Sequence, residues 1–213
     1  MKFGLITEGP TDQTVIKSLL VRFFADPAVK ITTVQPNTDS TDSANHYGGW
    51  KLVLDYCKSP DMTTALEIND FVVIQIDTDV CEEYCVAKRE NGTDRSAEEI
   101  VERTKGIIVE CIGTDLYIQY KHKIIFAISY EAIECWLLPL YFSDNNKTKT
   151  FNCCEKLNQE LTKKGFTIDC ANKKPLYYNK ICKEIKRKEQ IVTMSIHNNS
   201  FGQFVAQLIA IAN

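Results

Sequence analysis

The sequence Phe71-Val72-Val73-Ile74-Gln75-Ile76-Asp77-Thr78-Asp79 has the character of a strand that is buried on both faces of a parallel sheet and then ends in two acids. Five of its first six residues are apolar, and four of these are β-branched valine or isoleucine. Ligands of open α/β sheets bind outside the carboxyl ends of the strands. Two neighbouring carboxylates repel each other unless a cation or a shared proton lies between them, so Asp77 and Asp79 predict a cation site at this strand end.

A second acidic strand end occurs at the start of the chain. Residues 2–7 are predicted to form the first strand, and the turn Glu8-Gly9-Pro10-Thr11-Asp12 leads into a helix for which Thr11 is the expected N-cap. Gly9 would allow the backbone to approach closely whatever Glu8 holds. Asp12 falls in the first helical turn, where a carboxylate also interacts favourably with the helix dipole, so its charge has either a structural or a functional explanation.

Strands and helices alternate through about residue 139, and only helices are predicted after residue 143. The other predicted strands are 29–34 and 123–129, and the predicted helices are 50–58, one that Ser96 and Glu99 open with a capping box, 130–138, 151–164, 177–188 and 201–212. The polar stretch 35–49 has the length of an active-site loop. We therefore expect an α/β fold, with a Rossmann-like, mostly parallel sheet sandwiched by helices over residues 1–142 and a helical, lysine-rich C-terminal subdomain over residues 143–213.

The composition is that of a globular protein of 213 residues, 44% hydrophobic and 25% charged. No apolar run approaches the roughly 18–20 residues that span a bilayer, so we expect no membrane association. The apolar start of the chain is too short for a signal peptide, which favours a cytoplasmic location. The nine cysteines are odd in number and lack a framework spacing, so we expect reduced thiols.

The net charge of −3 conceals an uneven distribution. Residues 1–146 hold 13 Lys+Arg against 23 Asp+Glu, whereas residues 147–189 hold 12 against 5. An acidic body with a basic appendage suits a protein that binds a divalent cation in one part and a polyanion such as DNA or RNA in the other. A solvated, lysine-rich helical surface would give the same counts.

The two acidic strand ends resemble the two signatures of the Toprim domain, which topoisomerases, bacterial primases and the overcoming-lysogenisation-defect (OLD) nucleases share. The turn Glu8-Gly9-Pro10-Thr11-Asp12 looks most like the signature of OLD nucleases and their small relatives. A third stretch, Ser129 followed by Glu134-Cys135-Trp136-Leu137-Leu138, resembles an element of the compact, RloB-like Toprim proteins, which are associated with bacterial restriction and phage defence. The resemblance covers about residues 1–140 and implies a Toprim-like fold.

The chain departs from these relatives in two respects. It has Tyr130-Glu131-Ala132-Ile133 where RloB-like proteins often have Asn-Pro-Cys-Phe, and it lacks the Walker motif of the ATPase that accompanies OLD nucleases. The resemblance therefore leaves room for a partner ATPase or another defence-system protein, and for a homo-oligomer.

The resemblance implies a metal-dependent nuclease. It assigns Glu8, Asp77 and Asp79 as catalytic residues that hold Mg²⁺ or Mn²⁺. Asp12 matches an acid that helps to bind a second metal, and Glu134 matches the glutamate before the tryptophan, as a distal metal ligand or a structural acid. Two cations roughly 4 Å apart would stabilise both the attacking and the leaving oxygen of a phosphodiester, whereas with one cation Glu8 could act as general base or acid.

Other interpretations stay open. Asp77-Thr78-Asp79-Val80 resembles the first motif of haloacid-dehalogenase phosphatases, with Asp77 as nucleophile, although no Gly-Asp-X-X-X-Asp pattern follows. The domain could also bind nucleic acid or a protein partner without catalysis. Tyr177-Tyr178, which lies among lysines, could stack on bases or pack within a helix. Cys81 and Cys85 could bind zinc, but the sequence offers no second pair at a suitable spacing.

Overall fold

The structure is a computed structural model that describes residues 1–36 and 48–212, and a four-stranded parallel sheet lies at its centre. Its strands are β1 (Lys2–Ile6), β2 (Lys30–Gln35), β3 (Phe71–Asp77) and β4 (Ile124–Ser129), in the spatial order β2-β1-β3-β4. Ile6 pairs with Ile74, and Asp77 pairs with Ser129. The expected α/β, Rossmann-like class is confirmed.

Helices cover both faces of this sheet. They are α1 (Pro10–Phe24), α2 (Trp50–Lys58), α3 (Asp61–Ile68), α4 (Ala97–Ile112), α5 (Thr114–Tyr120), α6 (Glu134–Leu137), α7 (Cys153–Leu161), α8 (Pro175–Cys182), α9 (Lys188–Ser195) and α10 (Asn199–Ala212). A short hairpin pairs Arg89–Glu90 with Thr93–Asp94. Within residues 1–36 and 48–212, no helix combines the length and apolar character that crossing a membrane requires.

Each face of the sheet has its own hydrophobic core. Phe3 and Val73 lie in the core that also contains residues of α1 and of the C-terminal helices α7 to α10. Ile6, Ile74 and Ile76 lie in the core formed with α2, α3 and α4. The helices α1 and α2 therefore lie on opposite faces, which explains why β3 is apolar along almost its whole length.

The C-terminal helices share the core on the α1 face with the sheet. Tyr178, Phe201 and Phe204 are fully buried in the same cluster as Phe3. Trp136 stacks on Phe201 and Phe204, with ring centroids 4.9 Å and 5.4 Å apart. The helices after residue 143 are thus part of one packed body with β1 and α1, and the proposed boundary at residue 142 stays a prediction.

Four cysteines form two disulfide bonds, Cys135–Cys153 and Cys154–Cys170. The expectation that every cysteine is a reduced thiol is therefore wrong. The spacing did not reveal these bonds because the adjacent cysteines at the start of α7 pair in different directions, one with α6 and the other with the segment before α8. Other cysteines remain thiols, and Cys57, Cys81 and Cys182 are buried as expected of small apolar side chains.

The start of α1 differs from the prediction. The helix begins at Pro10 with Gly9 as its N-cap, so Thr11 lies inside the first turn rather than before it. Proline suits the first helical position because its missing N–H would have no intrahelical partner there. Asp12 remains in the first turn of the helix, as expected.

The predicted helix 177–188 is wrong, since α8 ends at Cys182 and α9 begins at Lys188, and α3 and α5 were not expected from the sequence. The segment 130–133, also predicted as helix, is not helical. Glu131 has a positive φ of 61°, and its carbonyl accepts hydrogen bonds from the backbone N–H groups of Thr78 and Asp79. The segment thereby ties the end of β4 to the end of β3, and α6 begins only at Glu134. The capping box of Ser96 and Glu99 is confirmed. Residues 37–47 of the predicted active-site loop lie outside the described residues.

Candidate active site: a buried carboxylate cluster

The carboxyl ends of β1 and β3 form the crevice in which an open α/β sheet binds its ligands. These strands are neighbours at the centre of the sheet, while α1 covers one face and α2 the other. In sheets of this kind the ligand crevice opens where the connections leave toward opposite faces. Glu8 follows β1 by two residues and Asp77 is the last residue of β3, so both predicted acids lie at this crevice.

Glu8 and Asp77 are joined by a small hydrogen-bond network. The backbone N–H of Asp77 donates to Oε1 of Glu8 at 2.8 Å. Gln75 completes the link, since its Oε1 accepts from the backbone N–H of Glu8 at 3.0 Å and its Nε2 donates to Oδ1 of Asp77 at 2.9 Å. Because Gln75 and the N–H of Asp77 both belong to β3, this strand holds Glu8 and Asp77 in place.

Asp12 reaches the same crevice from the first turn of α1. Its residue is only 7% exposed, close to the 6% of Asp77. A Cβ atom on Gly9 would lie 3.0 Å from Oδ2 of Asp12, so the glycine leaves room for this carboxylate. The turn after β1 therefore places two acids, Glu8 and Asp12, against the end of β3.

Glu134 approaches the cluster from the start of α6 and is 1% exposed. Its Oε1 is 2.6 Å from Nζ of Lys173 and also accepts a hydrogen bond from the hydroxyl of Tyr178. Its Oε2 is buried and has no hydrogen-bond partner among the described residues. Lys173 lies in the segment before α8 and Tyr178 lies within α8, so the C-terminal part of the chain supplies part of the site.

Asp79 lies at the rim of the crevice, where its side chain is exposed. Its Oδ1 accepts from the backbone N–H of Val80 at 2.9 Å. The nearby Lys88 donates from Nζ to the carbonyl of Asp79 at 3.0 Å and to Oε1 of Glu131 at 2.9 Å. Of the five predicted acids, Asp79 is thus the exposed one, Glu8 is half-buried, and the other three are buried.

Burial and mutual repulsion raise the pKa values of the acids in the cluster. Burial raises the pKa of Glu8 from 4.5 to about 8, and the charges of Asp12 and Asp79 add to the rise. Burial together with the charge of Glu134 raises the pKa of Asp12 from 3.8 to about 7. Burial and the charges of Asp12 and Glu8 hold the pKa of Asp77 well above its usual range. Burial is the largest cause of each rise and the neighbouring charges add to it, so a cation in the cluster would favour the ionised carboxylates.

The resident cation is Lys173. Burial lowers its pKa, but the charge of Glu134 and the hydrogen bond to it raise the pKa above its ordinary value. The same ammonium lowers the pKa of Glu8, Asp12 and Asp77. One positive charge is thus shared among four buried or half-buried carboxyls, which leaves the cluster with excess negative charge when all are ionised.

The donor set of this cluster fits a hard divalent cation. Mg²⁺ and Mn²⁺ favour carboxylate oxygens, and the cluster offers several together with the unpartnered Oε2 of Glu134. Among residues 1–36 and 48–212, however, no three His, Cys, Asp or Glu side chains are already grouped at metal-binding distances. Of these acids, Glu134 is the one that the ammonium of Lys173 contacts directly, at 2.6 Å.

Three residues of the site were not identified as such from the sequence. Gln75 carried a signal, because a lone amide in an otherwise apolar strand has to find polar partners. Lys173 and Tyr178 had no comparable signal, since they lie some forty positions after Glu134 and meet it only through packing of α8 on α1. Tyr178 is fully buried, so its side chain packs in the core and is not available to stack on bases.

The C-terminal lysines differ in their surroundings: some form ion pairs, some lie over aromatic rings, and some are exposed. Lys163 and Lys164 pair with Glu160 and Glu184. Others lie over aromatic rings, including Lys180 over Phe166 and Tyr177, and Lys188 over Phe23. Lys174, Lys183, Lys186 and Arg187 are exposed. Part of the positive charge therefore contributes to packing, and part faces solvent.

The fold and the site together define an α/β protein with a Rossmann-like sheet and a buried carboxylate cluster at its carboxyl edge. The chain matches no protein-family model, no curated protein and no solved structure. Its function is accordingly argued from the residues of the cluster.

Proposed function

We propose that the protein is a Mg²⁺- or Mn²⁺-dependent, nuclease-like Toprim protein that cleaves phosphodiester bonds of nucleic acid. The observation that carries the proposal is that Glu8 and Asp77, joined by a hydrogen bond at the carboxyl ends of adjacent parallel strands, have the buried acids Asp12 and Glu134 beside them. The Toprim resemblance of the two acidic turns, and the phage-defence role that it implies, supports the same reading. An ordinary structural strand end gains nothing from four carboxyls that raise one another's pKa.

The residues of the chain have distinct roles under this proposal. Glu8, Asp12, Asp77 and Glu134 would hold divalent cation from the inside of the crevice, and Asp79 would do so from its open rim. A cation bound there would lower the pKa of an attacking water and stabilise the charge that develops on the phosphodiester. Gln75 would keep Glu8 and Asp77 in fixed positions relative to each other, because its side chain is hydrogen-bonded to the backbone of Glu8 and to the carboxylate of Asp77.

Substrate would approach from the side of Asp79, whose side chain is exposed. The exposed cations of the C-terminal region would hold the phosphate backbone, with an affinity that falls as salt concentration rises. Lysines that lie over aromatic rings would contribute less, because their positions are already fixed by packing.

The test is cleavage of single- and double-stranded DNA, RNA and transfer RNA by purified protein with Mg²⁺ or Mn²⁺. We expect Glu8→Gln and Asp77→Asn each to lower cleavage by at least about 100-fold, the scale of losing one preorganised electrostatic group. Glu67→Gln, a substitution of an exposed acid on α3, is the matched control and should cleave as the wild type does. Full cleavage by both site variants would contradict the assignment.

A non-catalytic binding module is the second candidate, and the ion pair of Lys173 with Glu134 favours it, since a seated ammonium neutralises acids without any metal. Such a module would bind nucleic acid in a salt-dependent manner and leave every substrate intact. It would also tolerate Asp77→Asn. A phosphatase of the haloacid-dehalogenase type would instead hydrolyse small phosphate monoesters and lose that activity with Asp77→Asn.

A further inference from the structure

Lys173 makes a contact that a surface lysine of a basic appendage does not need. Its Nζ is 2.6 Å from Oε1 of Glu134, a residue that is 1% exposed, while the side chain of Lys173 itself is 30% exposed. A carboxylate this deeply buried requires a charged partner, and removal of one member of such a pair is costly. Lys173 is therefore a component of the cluster, although it belongs to the lysine-rich part of the chain.

The segment that carries Lys173 is tied down on its N-terminal side. The side chain of Asn158 on α7 holds Ile168 by two hydrogen bonds, accepting from its N–H at 2.7 Å and donating to its carbonyl at 2.8 Å. Cys170 is bonded to Cys154 of the same helix. Asp169 then accepts from the backbone N–H groups of Ala171 and Asn172 at 3.0 Å and 3.1 Å. These contacts fix the chain up to the residue before Lys173.

The side chain of Lys173 can leave the cluster without breaking the contacts that hold residues 168–172. Its neighbours Asn172 and Lys174 are exposed, and α8 begins at Pro175. Lysine has a long flexible side chain, and about a third of it already contacts solvent. Rotation of this side chain toward solvent would uncover Oε1 of Glu134, which would keep the hydrogen bond from Tyr178.

An ammonium and a divalent ion would compete for the same carboxyl group of Glu134. Lys173 neutralises one charge among Glu8, Asp12, Asp77 and Glu134, whereas Mg²⁺ or Mn²⁺ would neutralise two and coordinate several oxygens at once. A divalent ion placed beside the ammonium would be repelled by it at low effective dielectric. The unpartnered Oε2 of Glu134 gives such an ion a ligand that the lysine does not use.

We propose that Lys173 is a tethered cation that occupies the carboxylate cluster in the absence of a divalent ion, and that a divalent ion binds by displacing its ammonium from Glu134. The inference rests on the proposed function because it takes the cluster to be a metal site. It adds a means of regulation, since Lys173 then competes with the divalent ion and raises the ion concentration that is needed to occupy the site.

The direct measurement is the reactivity of two adjacent lysines in the wild-type protein. An amine-acylating reagent is applied with and without saturating Mn²⁺, and modification of Lys173 and Lys174 is quantified by mass spectrometry. Without Mn²⁺, Lys173 should react about tenfold more slowly than the exposed Lys174, which corresponds to a modest ion-pair stabilisation. With Mn²⁺, its rate should rise to within about threefold of that of Lys174. A rate at Lys173 that Mn²⁺ leaves unchanged, while Mn²⁺ binds, overturns the proposal.

The second measurement is Mn²⁺ affinity, followed by electron paramagnetic resonance or calorimetry. Lys173→Met should bind Mn²⁺ about tenfold more tightly than the wild type, and Lys174→Met should not differ from it. Equal or weaker binding by Lys173→Met overturns the proposal, as does the absence of binding by either protein. If Lys173→Met does not fold, the acylation experiment on the wild type decides alone.

These results separate the proposal from the nuclease assignment. Release of Lys173 by Mn²⁺ without cleavage of any nucleic acid would support the tethered cation and count against the nuclease. Mn²⁺-dependent cleavage with Lys173 still protected would support the nuclease and overturn the tethered cation.

Discussion

The backbone N–H of Asp77 donates a hydrogen bond of 2.8 Å to Oε1 of Glu8, so a candidate catalytic carboxylate also joins the ends of two neighbouring strands. Glu8 thus has a structural task as an acceptor and a separate electrostatic task as an acid. Substitutions that preserve only the first task can distinguish the two.

Glu8→Gln should be at least as stable as the wild type at pH 8, and Glu8→Ala should be less stable by about 1–2 kcal/mol. Glutamine keeps an acceptor for the N–H of Asp77 and removes a charge whose burial is unfavourable, whereas alanine leaves that N–H without its partner. Urea denaturation in a chelating buffer measures both variants. Equal destabilisation by both would show that the hydrogen bond does not matter for folding.

Gln75→Met should lower the free energy of unfolding by about 2 kcal/mol. Methionine fills a similar volume but leaves the N–H of Glu8 without an acceptor and Oδ1 of Asp77 without a donor, in a fully buried position. Gln119→Met, on the exposed side of α5, is the control and should be nearly neutral. A Gln75 variant as stable as this control would contradict the bridging role.

Asp12→Asn should stabilise the metal-free protein at pH 8, on the order of 2 kcal/mol, and have a smaller effect at pH 5. The folded-state pKa of Asp12 is raised from 3.8 to about 7, so the folded protein binds this proton more tightly than the unfolded chain. Stability is therefore fully present below pH 4 and is lost as pH rises through 7.

The measurement for Asp12 is the unfolding midpoint across this pH range with a chelator present, and Asp55→Asn on the exposed face of α2 is the control. Asp12→Asn should flatten the loss of stability between pH 5 and pH 8. An unchanged slope would mean that Asp12 is not protonated in the folded state.

Tyr178→Phe should cost about 1–2 kcal/mol of stability, because it removes a donor to the buried carboxylate of Glu134 while keeping the ring in the core. Tyr177→Phe is the matched control, since Tyr177 is adjacent and stacks on Phe166 with ring centroids 6.1 Å apart. Comparable losses from both substitutions would exclude a specific role for the Tyr178 hydroxyl.

Ser200→Ala should destabilise the protein by about 2 kcal/mol and loosen the segment before α6. The Ser200 hydroxyl accepts from Nε1 of Trp136 at 2.9 Å and from the N–H of Tyr130 at 3.1 Å, and both donors would lose this acceptor. Faster hydrogen exchange over residues 130–136 is the expected readout, with Ser143→Ala, at an exposed serine, as control. Exchange that does not differ from the control would contradict the anchoring role.

Much of the sheet and half of the site could be predicted from local sequence. The apolar run of β3 ends in Asp77, and the strand β1 is followed by Glu8, so two adjacent acids at one sheet edge follow from the strand pattern alone. The capping box at Ser96 was equally local. Such features depend on residues within one turn or one strand of each other.

The rest depends on contacts between distant parts of the chain. The partners of Glu134 come from positions 173 and 178, and a lysine in a lysine-rich region looks the same in sequence whether it faces solvent or a buried acid. The positive φ of Glu131 and the two disulfides likewise arise from how β4, α6 and α7 pack. The periodic pattern of apolar residues that predicts helices and strands does not indicate such long-range contacts.

The shared core has a practical consequence for dissecting this protein. A fragment that stops at residue 142 would lose Tyr178, Phe201 and Phe204, which bury the α1 face of the sheet, and with them the lysine that neutralises Glu134. The remaining chain would expose a large apolar face, a liability for aggregation. Truncation at residue 142 therefore cannot separate the carboxylate cluster from the lysine-rich helices, and point substitutions in the 213-residue chain are the appropriate tools.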